Sequence, residues 1–245
     1  MLSLWPYCIA AFLYFCPWVG AAHSSAAEPR QALAIKASPW ARAVVRLEVP
    51  VSRQERGYAR HFTEHCSAIV ISPAPNPLLV SAWHCFDGYP LVAPAIPVFP
   101  AEGGVPFHAE LLDTGGSMAE DWAILRITTT VTDTHWIPIS KAPPFPAMPI
   151  TAAGYAPLAE LAGTEAEGTT DRALVADYEC VITAADVIPY ESNCLAKKGS
   201  SGGAAVSLSP DGTAKLVGII SSGDGKHVSY LYPAVLLLDA INNRR

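Results

Sequence analysis

Apolar residues along this chain recur in short runs. In the first half these are Ala43 to Val49, loosely alternating and rich in valine, then Cys66 to Ser72, Leu78 to Ser81, Leu91 to Val98, His108 to Leu112 and Asp121 to Ile127. The second half repeats the rhythm at Ile150 to Tyr155, Ala173 to Ala185, Gly203 to Leu208, Leu216 to Ser222 and Val228 to Tyr232. Short β-like segments at this spacing predict an all-β barrel or sandwich. The proline-rich stretch Pro73 to Pro77 predicts a turn. Lys141 to Pro149 has too many prolines for a central strand, because each removes a ladder donor, and reads as a connection between two units. Over residues 233 to 245 the period changes. Val235, Leu238 and Ile241 share a face at helical spacing, Pro233 suits a helix start, and Arg244 and Arg245 suit its C-terminal dipole.

Composition narrows the class. With 245 residues, 51% hydrophobic and 16% charged, the chain can bury a full core in one or two units. The net charge of -6, without a run of Lys or Arg, argues against nucleic acid or an anionic membrane as partner and leaves a polypeptide. The apolar run Ile9 to Ala22, followed by small residues, reads as a secretory signal peptide over residues 1 to 22, with cleavage after Ala22 or as late as Ala27. Leu2 to Ala22 is almost long enough to span a bilayer, but Pro6, Pro17 and Gly20 interrupt it, which favours a cleaved signal over an anchor. The mature chain is then exported, to a secreted or periplasmic location, with no stable membrane insertion. Residues 23 to 38 predict no structure. Cys66, Cys85, Cys180 and Cys194 remain after cleavage, an even number that fits an oxidising compartment and allows three pairings. No C-x-x-C pair is present, so the cysteines do not predict a metal site.

Candidate chemistry concentrates at Gly199-Ser200-Ser201-Gly202-Gly203. A serine hydroxyl is a poor nucleophile until a base takes its proton and donors hold the oxyanion that forms. Glycines allow the positive-φ backbone that brings N-H groups close to a substrate carbonyl. A base is offered by Ser81-Ala82-Trp83-His84-Cys85, and a carboxylate by Asp121-Trp122-Ala123-Ile124-Leu125. Two other strings compete. His61-Phe62-Thr63-Glu64-His65 matches a zinc-peptidase pattern that requires a helix, for which the β-branched run Ile69-Val70-Ile71 leaves little room. Asp113-Thr114-Gly115 resembles an aspartic-peptidase loop, but that chemistry needs two such aspartates, and the string reads as a turn.

In the order His, Asp, Ser, these segments resemble the motifs Ser/Thr-Ala-Ala-His-Cys, Asp-Ile/Val-Ala-Leu and Gly-Asp-Ser-Gly-Gly of the chymotrypsin/trypsin family of serine endopeptidases. Val217-Gly218-Ile219-Ile220-Ser221-Ser222-Gly223 resembles a fourth family motif, and together the matches span residues 40 to 240. The resemblance implies two packed six-stranded antiparallel β-barrels with a C-terminal helix. The first barrel, over 40 to 140, carries His84 and Asp121; the second, over 150 to 232, carries Ser201. It implies no cofactor and no metal. It further implies that His84 is the base, that Asp121 orients it, and that the N-H groups of Gly199 and Ser201 form an oxyanion hole. It pairs Cys66 with Cys85, which leaves Cys180 with Cys194. The pocket for the side chain before the scissile bond would be lined by Leu195, Ala196, Ser221, Ser222 and Gly223, with small or medium apolar specificity. A glutamyl alternative would use His227 and Ser222 as donors.

Several residues depart from the pattern. Trp83 and Ala204 replace the usual alanine and proline. Ser200 replaces the aspartate that, in trypsin-like members, pairs with a newly cut N-terminal amine, and no Ile-Val-Gly-Gly-like segment supplies such a terminus. The chain is therefore more similar to the bacterial-type branch, which includes glutamyl endopeptidases. A non-catalytic binding module on the same fold is the alternative from a different class, since fold does not fix function.

Overall fold

The structure is a computed structural model, described over residues 31–32, 38–90, 95–157 and 171–244. The segment read as a signal peptide, and the start of the run Leu91 to Val98, lie outside the described residues.

Thirteen strands are described. They are β1 (Gln31–Ala32), β2 (Val44–Glu55), β3 (Tyr58–Val70), β4 (Leu78–Ser81), β5 (Ile96–Phe99), β6 (Phe107–Thr114) and β7 (Ala123–Ile127), then β8 (Pro149–Pro157), β9 (Arg172–Ala184), β10 (Tyr190–Ser192), β11 (Ala204–Leu208), β12 (Ala214–Gly223) and β13 (Ser229–Pro233). Strands β2-β3-β4-β7-β6-β5 close into an antiparallel barrel, sealed by Arg46 opposite Phe99 and Leu47 opposite Val98. The second barrel runs β8-β9-β10-β13-β12-β11 and closes where Ala204 meets Ala153. Closure pairs the barrel strands on both sides over most of their length, and inward positions fill with branched apolar side chains. Leu47, Ile69, Leu79, Ile96 and Ile124 fill the first interior, and Ile182 and Leu231 the second. All four residues of β4 are buried. One cluster of buried apolar residues joins the barrels, with Tyr155, Leu174, Val206, Ile219 and Tyr232 of the second packed into the first. The architecture fits a chymotrypsin-like fold.

The structure adds to or corrects the sequence expectations at several places. Strands β2 and β3 form one long hairpin, paired without a break from Val44 opposite Ile69 to Glu55 opposite Tyr58. The sequence predicts only its inner half. Beyond Val51 the hairpin leaves the barrel, so both faces meet solvent and the apolar alternation that marks a strand disappears. His61 to His65 therefore lies on β3 and not on a helix. Four residues along a strand span roughly 13 Å, too far for two histidines to share one ion. Among the described residues no group of His, Cys, Asp and Glu could hold a metal ion.

The C-terminal helix is shorter than expected. Pro233 ends β13, a 3-10 turn covers Ala234–Leu237, and α1 (Leu238–Asn242) follows. Ala234, Leu237 and Ile241 are the buried positions, in place of Val235 and Leu238, because the opening turn winds at three residues per turn and rotates the apolar face. Asp113 and Thr114 lie on β6, opposite Ile124 and Ala123, and not in the turn expected from the sequence, and Arg244 pairs with Asp113 at 3.0 Å. Residues 23 to 38, for which no structure is expected, include β1, which pairs with β9 of the second barrel.

Candidate active site

His84 leaves β4 on a 3-10 turn, Trp83–Phe86. The next residue, Cys85, is bonded to Cys66, so the turn is fastened to β3. Arg53 fastens it a second time, donating to the His84 carbonyl at 3.2 Å while also holding Glu64 at 2.8 Å. Asp121 stands just before β7 and is buried, at 1% exposure. An isolated carboxylate could not stay ionised there without strong compensation. It has that compensation. The main-chain N-H of His84 donates to Oδ1 at 2.9 Å, the ring Nδ1-H donates to Oδ2 at 2.9 Å, and the Ser221 hydroxyl also donates to Oδ2. Burial is the largest single influence and raises the Asp121 pKa. The hydrogen bonds and charge of His84, together with the Ser221 bond, outweigh it and hold the carboxyl below its usual range. With Nδ1-H donating to Asp121, the neutral tautomer of His84 has its lone pair on Nε2, and the side chain as a whole is partly exposed.

The serine loop is held differently, by main chain and glycine. Ser201 accepts from Ser67 N at 2.8 Å, Gly202 N donates to Ile220 O at 2.7 Å, and Gly203 N donates to Ser200 O at 2.8 Å. Gly202 has φ +79°, and a Cβ there would overlap the carbonyl of Ser67 and the hydroxyl of Ser81. Ser67 is buried in the joint. Its hydroxyl donates to Gly199 O at 2.9 Å and accepts from Tyr155 N at 2.8 Å, tying β3 of one barrel to β8 and the serine loop of the other. Among the described residues the N-H groups of Gly199 and Ser201 meet no backbone acceptor. The Ser201 hydroxyl donates to the Ser221 carbonyl at 3.5 Å, a weak contact. His84, Gly199 and Ser201 line one cleft of about 380 Å³, together with Arg172 and Lys198.

The residues assigned by resemblance to the specificity pocket lie apart from that cleft. Leu195 N donates to buried Asp177 at 2.9 Å, and Ala196 N donates to the buried hydroxyl of Ser229 at 3.0 Å. Gly223 lies against the main chain of Val228 and Ser229. Ser222 pairs with Tyr230 on β13. His227 stands on a turn organised by Asp224, with its ring 82% exposed and so not buried as a pocket donor. Ser221 has a different position from the one expected. Its side chain is buried and supports Asp121, and only its carbonyl faces Ser201.

Both disulfides, Cys66–Cys85 and Cys180–Cys194, are formed, which fits an oxidising compartment. Among the described residues no helix is long and apolar enough to cross a membrane. Ser67, Asp177 and Arg172 are functional-site neighbours that the sequence reading misses. A serine inside the apolar run from Cys66 to Ile71, and an aspartate inside the run from Ala173 to Ala185, are the available signals, since a buried polar residue on a strand must have partners. No protein-family profile matches the chain, and a search of curated proteins finds no match.

Proposed function

We propose that the protein is a serine endopeptidase of the bacterial-type branch of the chymotrypsin-like family, exported and acting on polypeptides. One observation carries the reading: a buried, ionised Asp121 holds His84 in a single tautomer beside the loop that presents Ser201. In this mechanism Nε2 of His84 takes the Ser201 proton as Oγ attacks a peptide carbonyl. Asp121 stabilises the imidazolium that results. The N-H groups of Gly199 and Ser201 hold the oxyanion, each donor worth about 3 to 4 kcal/mol. His84 then passes its proton to the leaving amine, and water repeats the sequence on the acyl-enzyme.

The β12 edge supports the placement of the acyl half. Pairing with β11 stops at Ala204 opposite Ile219, so Ser222 and Gly223 pair only with Tyr230 and Ser229 of β13 and can add a substrate strand on the other side. Leu195 and Ala196 favour a small or medium apolar side chain before the scissile bond. Asp177 does not favour Lys or Arg there, because its buried carboxylate already accepts from Leu195 N and Glu179 N. Ser200 supports the bacterial-type assignment: the loop is closed by its own backbone bonds, including Ser200 N to Lys197 O at 2.9 Å, without a carboxylate and a new chain terminus.

The test is labelling by a fluorophosphonate. An adduct on Ser201 in oxidised, folded protein, lost in Ser201→Ala, is the expected result. Folded protein that takes no label is a binding module instead.

A further inference from the structure

The turn that carries His84 is held from two directions. From the barrel, Asp121 accepts the main-chain N-H of His84 at 2.9 Å, and Cys66 is bonded to Cys85. From the other direction comes Arg53, on the part of β2 past Val51 that has left the barrel. The carbonyls that end a helical turn have no partner inside it. Phe86 O accepts from Tyr89 N at 2.8 Å, and Arg53 takes two others, donating from Nη2 to His84 O at 3.2 Å and from Nε to Asp87 O at 2.9 Å. The side chain of one strand thus caps the histidine turn.

The guanidinium is itself fixed. Nη1 donates to Glu64 of β3 at 2.8 Å, the Asp87 carboxylate lies 3.4 Å from Nε, and the Phe62 ring centre is 5.1 Å from the guanidinium carbon. A planar fork can span these groups at once, whereas an ammonium is a point charge. Gly88 allows the close approach. It has φ +83°, a Cβ there would overlap Ser52 O, and its own carbonyl accepts from Ser52 N at 2.8 Å. His84 is therefore gripped at both main-chain groups, the N-H by Asp121 and the carbonyl by Arg53. Release of the carbonyl would let the residue pivot about its bond to Asp121, and Nε2 would shift against a serine loop that belongs to the other barrel. A displacement of about 1 Å can cost about 10²-fold in rate.

We infer that Arg53 is a positioning residue for His84: it caps the histidine turn from the outer hairpin and sets where Nε2 stands relative to Ser201, so the hairpin beyond the barrel belongs to the catalytic apparatus. The effect on rate rests on the proposed peptidase activity.

The experiment compares steady-state cleavage of one internally quenched peptide by wild type, Arg53→Ala, Arg53→Lys and Arg60→Ala. Arg53→Ala should lower kcat by about 10- to 100-fold, with KM within about 3-fold. Added methylguanidinium should restore part of that loss, and methylammonium should not. Arg53→Lys keeps the charge without the fork and should still lose at least about 5-fold in kcat, which carries the test if Arg53→Ala does not fold. Arg60→Ala breaks the exposed Arg60–Glu55 pair on the same hairpin and should leave kcat unchanged. A wild-type kcat in Arg53→Lys, or an equal loss in Arg60→Ala, overturns the inference and leaves the peptidase reading intact. If wild type cuts no peptide, the peptidase reading fails, and the contact is judged by NMR of histidine-labelled protein. The His84 Nδ1-H signal, identified by its loss in His84→Gln, should exchange with water at least about 10-fold faster in Arg53→Lys than in wild type, and an unchanged exchange rate overturns the inference.

Discussion

His84 is held by side chains, whereas Ser201 is held by main chain. On the first barrel, a carboxylate, a guanidinium and a disulfide fix the imidazole, and each is a group whose chemistry can be altered while the backbone stays in place. On the second barrel, the serine loop is fixed by backbone bonds and by glycines packed against neighbouring carbonyls, so a substitution there disturbs geometry before chemistry. Damage to the histidine half should therefore appear as altered protonation in a folded protein. Damage to the serine half should appear as lost stability. Ser67 and Ser221 cross between the halves and should show both effects.

The largest expected effect is that of Ser201→Ala, which removes the proposed nucleophile and nothing that packs. Turnover should fall on the order of 10⁶-fold. The melting temperature should stay within about 2 °C, since a half-exposed hydroxyl contributes little to folding. Retained turnover would remove the serine half from the comparison altogether.

Asp121→Asn comes next. The amide would present an N-H to the ring and favour the wrong tautomer, lowering kcat/KM by about 10⁴-fold. Its pH signature separates it from a packing defect. Asp121 titrates below its unfolded-state value, so the stability it confers is present above the ordinary carboxylate range and is lost as pH falls through the depressed native value. Urea unfolding should show the gap between wild type and Asp121→Asn narrowing from about pH 6 to about pH 3. A gap that is constant with pH would mean that the carboxylate is not ionised in the folded protein.

Gly202→Ala tests the other half. With φ at +79° and two oxygen atoms in the path of a new Cβ, it should cost about 2 to 5 kcal/mol of folding free energy. Activity would fall because the loop moves. A variant of native stability with low activity would contradict the division between the halves. The smallest effect belongs to Ser67→Ala, which strands Tyr155 N and one carbonyl lone pair of Gly199 in a buried joint and should cost about 1 to 3 kcal/mol. Because Ser67 positions Gly199, kcat should fall more than KM rises, and calorimetry with steady-state kinetics would show both.

What could be read from the sequence depended on whether a residue's role shows in its own neighbourhood. Leu78–Ser81 was legible to the residue, because its turn signals and buried run lie together. His84, Asp121 and Ser201 could be picked out because each sits in a short string that resembles a known motif. The outer half of the β2–β3 hairpin was not legible, since solvent on both faces removes the alternation. The Ser221 side chain and the Ser67 hydroxyl were assigned no such role because their partners are 100 and 88 residues away, and nothing local marks a contact between barrels.

The connection between the barrels carries a consequence for recombining this fold. Ile137 N donates to Val70 O and so still belongs to the first barrel, but the next residues do not. Leu216 N donates to Pro138 O, Ser140 N donates to Leu216 O, and Ile139 bridges Leu216 in parallel, which makes 138 to 140 an added strip on β12. That strand also supplies Ser221 to Asp121. A chimera exchanging second barrels between homologous chains should therefore be spliced between Ile137 and Pro138, not at the proline-rich stretch that follows. A junction at 141 to 149 would pair the strip of one parent with the β12 of another, and place the mismatch on the strand that reaches the carboxylate.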